Sequence, residues 1–260
     1  MDVNQHNRNA WDKKVEQNSR YTQSVSREII EKSKAGDWEI TVTTEKPVPR
    51  DWFPRDLTGI KILCLASGGG QQAPILAAAG ADVTVVDISE KQLEQDKKIA
   101  KREGLRLEIL QGDMTNLGNF VNESFDIVVQ PVSNLFVEDV NLVWFEIARV
   151  LKNKGILIAG LTNPLLWIFD EQQEEKGILD VKHAIPSSTL DRLPEAQAQD
   201  YLNGNQTIEY AHTLENQIQG QIDAGFVITG FYEDDFGGNR IIDQYIKTFI
   251  ATRAVKLEVD

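Results

Sequence analysis

Four short segments carry residue types suited to binding a nucleotide, and each follows an apolar run. The first is Ala66-Ser67-Gly68-Gly69-Gly70-Gln71-Gln72, where glycine allows close approach to the backbone and the next helix offers free N–H groups. Asp87 ends the next run, and a carboxylate there can accept hydrogen bonds from both ribose hydroxyls. In Gly112-Asp113-Met114, the Asp113 carboxylate can accept from an adenine amino group and Met114 can pack on the ring. Gln130 begins a fourth segment, which faces the place where a substrate would meet the nucleotide. Each segment alone is often structural, but together they predict a nucleotide site.

The elements that precede these segments must bring them together. Strands predicted at 60–66, 82–87, 105–110, 125–130 and 155–161 alternate with helices at about 71–79, 89–104 and 138–151. This alternation predicts parallel pairing through right-handed crossovers, hence an α/β, doubly wound, mostly parallel seven-stranded sheet. The C-terminal strand should be antiparallel, because 226–232 and 244–254 have no helix between them. Ser89 with Gln92 predicts a capping box at the start of the 89–104 helix.

The flanks of the sheet differ from its middle. Residues 1–58 hold helical stretches around 11 and at 24–34 and end in three prolines, which predicts an N-terminal helical cap. The main domain would then be 59–260. Within it, 162–213 has no clean periodicity apart from a strand at 207–212, so we expect an insertion after the fifth strand that forms a substrate lid.

The run Leu63 to Gly70, followed by Asp87 and Gly112-Asp113-Met114, resembles the class I S-adenosylmethionine-dependent methyltransferases over about 59–161. With Asn9-Ala10-Trp11-Asp12, the sequence resembles a bacterial subgroup of small-molecule type. The resemblance implies a Rossmann-like methyltransferase fold that uses S-adenosylmethionine and releases S-adenosylhomocysteine. It also implies that a methyl group moves to a small-molecule acceptor by in-line displacement.

The resemblance also implies which residues contact the cofactor. Asp87 would bind the ribose, Ile88 and Met114 would lie at the adenine, and Gln130 would lie beside the sulfonium. Two departures concern the methionine end, because the family usually has an acid where Cys64 stands and a glycine where Ala66 stands. The expected cofactor residues are Ala66, Ser67, Gly68, Gly70, Gln71, Gln72, Asp87, Ile88, Gln92, Asp113, Met114 and Gln130.

Two other classes of protein fit part of the pattern. The stretch from Gly68 to Ala73 also satisfies G-x-G-x-x-G/A, and Asp87 lies near the position of a nicotinamide-nucleotide ribose acid. An NAD(P)-dependent oxidoreductase would explain these features but not Gly112-Asp113-Met114. A non-catalytic nucleotide-binding protein on the same fold is the third class, since a fold does not determine an activity.

The acceptor site has fewer signals, and no catalytic residue is identified. The candidates are His183 in the insertion, Asn134 after the fourth strand and Tyr21 in the cap. Aromatic rings favour a nearby sulfonium charge or a flat acceptor, and amides at strand ends can orient a substrate. The expected acceptor contacts are Trp11, Tyr21, Trp52, Asn134 and Asn163, and no spacing typical of metal ligands is present.

Composition limits the partners. The chain has 260 residues with 27 basic and 40 acidic side chains, a net charge of −13, which disfavours nucleic acid as a partner. No apolar run approaches the roughly 20 residues of a membrane span, and the polar N-terminus does not resemble a secretory signal. One cysteine, Cys64, allows no internal disulfide. We therefore expect a cytoplasmic protein, and the resemblance implies a bacterial enzyme that acts on a small molecule; the oligomeric state is not indicated.

Overall fold

A computed structural model describes residues 1–258 and contains a seven-stranded sheet in the order β3-β2-β1-β4-β5-β9-β8. In this sheet β9 alone runs opposite to the other six strands and so pairs antiparallel with both β5 and β8, which confirms the predicted mostly parallel fold with an antiparallel C-terminal strand. A separate pair, β6 with β7, lies in the insertion. In chain order the strands are β1 (Lys61–Leu65), β2 (Asp82–Asp87), β3 (Leu107–Gln111), β4 (Phe125–Gln130), β5 (Leu151–Thr162), β6 (Ser187–Ser188), β7 (Tyr210–Ala211), β8 (Phe226–Asp234) and β9 (Phe249–Lys256).

Helices cover the sheet and form its flanks. Two belong to the cap, three connect the parallel strands, three lie in the insertion, and the last follows a π-helical turn (Glu215–Gln219) before β8. They are α1 (Val3–Glu16), α2 (Arg27–Lys34), α3 (Gln72–Ala78), α4 (Glu90–Glu103), α5 (Val140–Val150), α6 (Glu171–Glu174), α7 (Thr189–Arg192), α8 (Glu195–Asn203) and α9 (Gly220–Asp223). None of the helices within 1–258 is long and apolar enough to cross a membrane.

Two apolar cores hold the layers together, one on each face of the sheet. Ile62 and Cys64 of β1 enter the core under α3, α4 and the cap, whereas Leu63 and Leu65 enter the core under α5. This alternation follows from the two-residue period of a strand. Burial on both faces explains why the central strands are continuous apolar runs.

The two ends of α4 test the capping residues that the sequence predicts for this helix. Gly104 ends the helix with a φ of +68°, as expected for a left-handed C-terminal residue. The Ser89 hydroxyl caps the N-terminus by accepting from the N–H of Gln92 at 3.1 Å. The predicted capping box is wrong, however, because Asp87 rather than Gln92 accepts from the Ser89 N–H. The Gln92 side chain is therefore free to face the glycine-rich loop.

Candidate functional site

Two carboxylates hold the backbone of the loop between β1 and α3. The N–H of Gly68 donates to Asp87 Oδ2 at 2.9 Å, and the N–H of Gly69 donates to Asp96 Oδ2 at 2.9 Å. A Cβ on Gly68 would lie 2.8 Å from the Cβ of Gln92 and 3.0 Å from that of Asp87. Any side chain at Gly68 would therefore displace Asp87 or Gln92, so glycine is what lets the loop lie directly against them.

Ala66 opens this loop in a left-handed backbone conformation with a φ of +47°. Glycine adopts such a φ freely, while residues with a side chain adopt it rarely. This is a physical reason for the glycine that the resemblance implies here. The Ala66 N–H donates to the Val86 carbonyl at 2.8 Å, so the turn is kept with alanine and stays fixed to β2.

Asp87 ends β2 in a buried position with 8% of its surface exposed. Its Oδ1 accepts from the N–H of Ser89 at 2.8 Å. Burial raises the pKa of the Asp87 carboxyl to about 6, although the hydrogen bonds from Ser89 and Gly68 act in the opposite direction. A carboxylate oxygen has two lone pairs, so each oxygen retains capacity for a ligand hydroxyl.

Asp96 is a site residue that sequence reasoning missed. It is fully buried in α4, and its Oδ1 has no hydrogen-bond partner in the described part of the chain. Burial raises the pKa of the Asp96 carboxyl to about 7, and the charge of Asp87 adds to this rise, while hydrogen bonds from the loop oppose it. A signal was present, because Asp96 lies four residues after Gln92 and three before Ile99 on the buried face of an amphipathic helix.

Cys64 lies in the same region and is fully buried. Burial and the charge of Asp96 raise the pKa of the Cys64 thiol well above its usual range, so the thiol stays neutral. Strand β1 thus carries no acid here, and α4 supplies the buried carboxylate that holds the loop.

The segment after β3 is connected to the cap. Asp113 Oδ1 accepts from the N–H and the hydroxyl of Thr115, both at 2.8 Å. Asp113 Oδ2 accepts from the side-chain amide of Asn4 in α1. An adenine amino group at Asp113 would therefore share the carboxylate with Asn4 or displace it. Ile88 and Met114 lie on the same stretch of the cleft.

A cleft of about 960 Å³ runs along the carboxyl ends of the strands, with walls from the sheet, the cap and the insertion. Among the predicted acceptor residues, Trp11 and Tyr21 line it. Among the predicted cofactor residues, the cleft brings together Ala66, Ser67, Gly68, Gln71, Gln72, Asp87, Ile88, Gln92, Asp113 and Met114.

Two predicted cofactor residues lie outside the cleft lining. A Cβ on Gly70 would lie 3.0 Å from Ser24 Oγ and 3.1 Å from Ile99 Cγ1, so Gly70 faces the cap and α4. Gln130 is fully buried, and its Nε2 donates to Asn134 Oδ1 at 2.6 Å. Neither residue lines the cleft in this structure, and the cofactor contacts expected of Gly70 and Gln130 stay predictions.

Three predicted acceptor residues make packing or capping contacts. Trp52 is a core residue whose ring lies 5.4 Å from that of Tyr232. Asn134 is buried beside Gln130. Asn163 caps the turn after β5, since its Oδ1 accepts from the N–H of Leu165 at 3.1 Å and its Nδ2 donates to a backbone carbonyl. Trp52, Asn134 and Asn163 do not line the cleft, and the acceptor contacts expected of them stay predictions.

None of the three histidines within 1–258 lines the cleft. His183 is half-buried in the insertion, and burial together with the charges of Lys182 and Arg192 lowers its pKa. His212 is buried, and its Nε2 lies 3.0 Å from the carbonyl oxygen of Asn134. The assignment of His183 as a catalytic residue stays a prediction. Within the same residues, no group of three or more metal-binding side chains is found.

Taken together, the sheet order, the loop after β1 and the acid at the end of β2 define the class I methyltransferase fold and its cofactor cleft. A family model described as a methyltransferase domain matches residues 63–159. The chain is 54% identical over 252 residues to the uncharacterized methyltransferase YbaJ of Bacillus subtilis (strain 168), which covers 97% of this chain and 98% of that protein.

More distant proteins share part of the chain or its fold. The glycine/sarcosine/dimethylglycine N-methyltransferase of Actinopolyspora halophila is 31% identical over 149 residues, which are 56% of this chain and 26% of that protein. The solved S-adenosylmethionine-dependent methyltransferase of Mesorhizobium loti superposes with a TM-score of 0.58 at 19% identity, over 80% of this chain and 95% of that one. The solved S-adenosylmethionine-dependent methyltransferase of Methanosarcina mazei superposes with a TM-score of 0.57 at 21% identity, over 83% of this chain and 100% of that one.

The chain therefore belongs to the class I S-adenosylmethionine-dependent methyltransferases, and S-adenosylmethionine is its cofactor. It is an enzyme of this family, so the oxidoreductase and the non-catalytic alternatives are set aside. The acceptor is the open part of the function.

Proposed function

We propose that this enzyme methylates a small molecule that binds in the outer half of the cleft, between the N-terminal cap at 1–58 and the insertion at 162–213. The observation that carries the proposal is that α1 joins both sides of the cleft. Asp12 accepts from the Ser89 hydroxyl at 2.6 Å on the cofactor side. On the other side, Asn7 pairs with both backbone groups of Ile208.

The inner half of the cleft fits S-adenosylmethionine. Gly68 lets the loop backbone lie directly against Asp87 and Gln92 beside the cleft, and Gln92 Oε1 is buried without a partner among residues 1–258. Asp87 would hold the ribose, and Ile88 and Met114 would pack on the adenine. When bound, the cofactor supplies a methyl group that is activated by the positive charge of the sulfonium.

The methionine end would be held by side chains that the structure already orients. Ser67 Oγ donates to Gln72 Oε1 at 3.0 Å, and Gln72 Nε2 donates to the Thr41 carbonyl at 3.0 Å. Gln71 Nε2 donates to the Tyr21 carbonyl at 3.3 Å, so the loop and the cap share this end of the cleft. These residues would position the reacting groups and exclude water, which accounts for much of the rate gain in such reactions.

Charge and enclosure support a small acceptor over a nucleic acid. Residues 162–260 carry 7 basic and 17 acidic side chains, a net charge of −10, on the part of the chain that includes the insertion. A phosphate backbone would be repelled there. The acceptor would be a metabolite-sized molecule, and the single buried cysteine supports a cytoplasmic enzyme.

The test incubates the enzyme with S-adenosylmethionine labelled with tritium on the methyl group and a bacterial extract divided into low-molecular-weight and macromolecular fractions. We expect label in the low-molecular-weight fraction. The control is Gly68→Val, whose side chain would displace Asp87 and Gln92 from the loop and should abolish labelling. Label in protein or RNA instead would contradict the small-molecule acceptor.

A further inference from the structure

The insertion places an acidic side chain in the outer half of the cleft. Glu209 lines the cleft and precedes β7. Its Oε1 accepts from the hydroxyl of Thr207 at 2.9 Å, and no other described group donates to the carboxylate. No Lys or Arg lies within ion-pair distance of Glu209 among residues 1–258. One carboxylate oxygen is thus fixed, and the other remains available to a ligand.

A short chain of hydrogen bonds connects Glu209 to the cap. Lys14 Nζ donates to Thr207 Oγ1 at 3.1 Å, and this same oxygen carries the hydroxyl that donates to Glu209. Lys14 Nζ also lies 4.4 Å from the centroid of the Trp11 ring. The Trp11 ring packs edge-on against Phe136 at 5.3 Å, and Phe136 belongs to the turn after β4. This chain of contacts connects Glu209 to the end of β4, on the acceptor side of the cleft.

The titratable groups around Glu209 come from four helices. Lys14 of α1 and Arg192 of α7 are cationic, Glu171 of α6 is acidic, and Tyr201 of α8 is neutral. Burial raises the pKa of the Glu209 carboxyl, and Glu171 adds to the rise, although Lys14, Thr207 and Arg192 oppose it. Burial also lowers the pKa of Lys14. A carboxylate whose pKa is moved toward neutrality suits proton transfer near pH 7.

Trp167 contributes a buried group without a partner, and Arg192 lies near both Trp167 and Glu209. Trp167 follows β5 and lines the cleft, with the Arg192 guanidinium 4.7 Å from its ring centroid. Its indole Nε1 is buried and has no partner within the described residues. An indole N–H is a donor only, so it would bind an acceptor atom of a ligand.

We propose that Glu209 is the general base of methyl transfer and that the acceptor is a planar molecule with a neutral hydroxyl group, bound beside Trp11 and Trp167. This inference rests on the proposed small-molecule function. In the step, the hydroxyl oxygen forms a bond to the methyl carbon while the bond from that carbon to sulfur breaks and its electron pair stays on sulfur. The hydroxyl proton passes to Glu209.

The balance of charge favours a hydroxyl over an amine or a thiol. Two cations and two carboxylates face this corner, so it has no excess negative charge for an ammonium group. Thiols ionise at about pH 8.5 and need little help from a base, whereas phenols ionise at about pH 10. A hydroxyl acceptor must lose its proton, and Glu209 can accept that proton. Lys14 nearby would stabilise the negative charge that develops on the hydroxyl oxygen.

The test compares matched ring compounds as methyl acceptors: phenol and catechol, aniline, and thiophenol. We expect the hydroxyl compounds to be methylated. Glu209→Gln should lower kcat by about 10²- to 10⁴-fold and remove the acidic limb of the pH profile. It should leave the affinity for S-adenosylhomocysteine unchanged, and the affinity of the S-adenosylhomocysteine complex for catechol should change less than tenfold. Both affinities are measured by calorimetry.

Two further variants keep the test decisive. Glu195→Gln removes an exposed acid of the same insertion and should leave kcat unchanged. Glu209→Asp keeps a carboxylate, so it should retain the acidic limb at a reduced rate, and it replaces Glu209→Gln if that variant does not fold. A kcat within a few-fold of the parent for Glu209→Gln would overturn the general base.

The failures of the two proposals are distinguishable. Methylation of only aniline or thiophenol, or of no ring compound, would overturn the hydroxyl acceptor while labelled low-molecular-weight material from extract still supports the proposed function. Label found only in macromolecules would overturn both. Binding of S-adenosylhomocysteine to each variant shows that the protein used is folded and loaded.

Discussion

Asp87 and Asp96 divide the task of holding the cofactor loop, since each accepts one backbone N–H from neighbouring glycines. Both carboxyls are buried, and the charge of Asp87 raises the pKa of Asp96 further. Burial thus moves the pKa of both carboxyls up from the usual range of aspartate. A bound ribose hydroxyl at Asp87 would add a donor and favour its ionised form.

The stability of the protein should depend on pH through Asp96. An aspartate in an unfolded chain has a pKa of about 3.9, whereas the folded pKa is about 7. The folded state holds the proton more tightly, so this contribution to stability is complete below about pH 4 and is lost as pH rises through about 7. Asp96→Asn removes the ionisation. The free energy of unfolding of the variant, relative to that of the parent, should therefore increase by on the order of 3 kcal/mol as pH rises from about 5 to 8.

Urea unfolding at several pH values measures this difference. Asp82→Asn, at the exposed start of the strand that ends in Asp87, controls for loss of a carboxylate as such. A difference between parent and Asp96→Asn that stays flat from pH 5 to 8 would show that Asp96 is not a buried, raised-pKa group.

Side-chain direction is what the sequence could not determine at this scale. Asp87 was predicted because a strand end limits its position, and the structure places it at the loop. Gln130 ends β4 and Asn163 follows β5, but their amides make packing and capping contacts. Asp96 was missed because an acid within a helix is ordinarily assigned to solvent, and only its place on the apolar face indicates otherwise.

At the scale of elements, α1 joins the cofactor side to the insertion, and Asn7 is its central contact. Asn7 is buried, its Nδ2 donates to the Ile208 and Phe136 carbonyls at 3.0 and 3.2 Å, and its Oδ1 accepts from the Ile208 N–H at 2.8 Å. Asn7→Ala would leave these backbone groups unpaired, at a cost of about 1–3 kcal/mol for each buried group.

We expect Asn7→Ala to speed amide hydrogen exchange at 204–212 while exchange in β1 is unchanged, because the loss is local to the insertion. Asn9→Ala, an exposed residue of the same helix, is the matched control and should have no effect on either segment. Equal exchange at 204–212 in the parent and Asn7→Ala would contradict the role of α1 as a connection between the two sides.

The cap also approaches the sheet at Gly160 in β5. A Cβ there would lie 1.9 Å from the Val42 carbonyl oxygen, which accepts from the Val132 N–H at 2.9 Å. In an ordinary strand, Gly→Ala stabilises by about 0.5–1 kcal/mol. Gly160→Ala should instead destabilise by about 2–4 kcal/mol, because the cap segment must move and its hydrogen bond is lost. Urea unfolding tests this, and a stabilised variant would contradict the close approach.

The bounds of a strand were predicted well where an apolar run marks them, and poorly where they depend on pairing with distant parts of the chain. The apolar run of β4 matches its observed bounds of Phe125–Gln130. Strand β5 begins at Leu151, directly after α5, whereas the helix was predicted to reach 151 and the strand to begin at 155. The predicted strand at 207–212 shortens to β7, whose only pairing is with two residues of β6. Strand β9 begins at Phe249 rather than near 244, because a 3-10 turn (Ile241–Gln244) precedes it.

At the scale of the whole molecule, the sheet order places the ends of β1, β2, β3 and β4 along one edge, and the cap and insertion close over that edge. The sequence indicates this arrangement through the alternation of strands and helices. It could not indicate that α1 contacts both the cofactor loop region and the insertion, because contacts such as that of Asn7 with Ile208 span about 200 residues of chain. Such contacts leave no local periodicity.

The most direct test of the account is thermal unfolding with S-adenosylmethionine, S-adenosylhomocysteine and NAD in parallel. At about 100 times its dissociation constant, a ligand stabilises the fold by roughly 2.7 kcal/mol, which corresponds to a rise in Tm of about 5 °C or more for a chain of this size. We predict this rise with both sulfur nucleotides in the parent, its loss in Gly68→Val, and no change with NAD. A rise with NAD alone, or an equal rise with S-adenosylhomocysteine in Gly68→Val, would contradict the cofactor site described for this cleft.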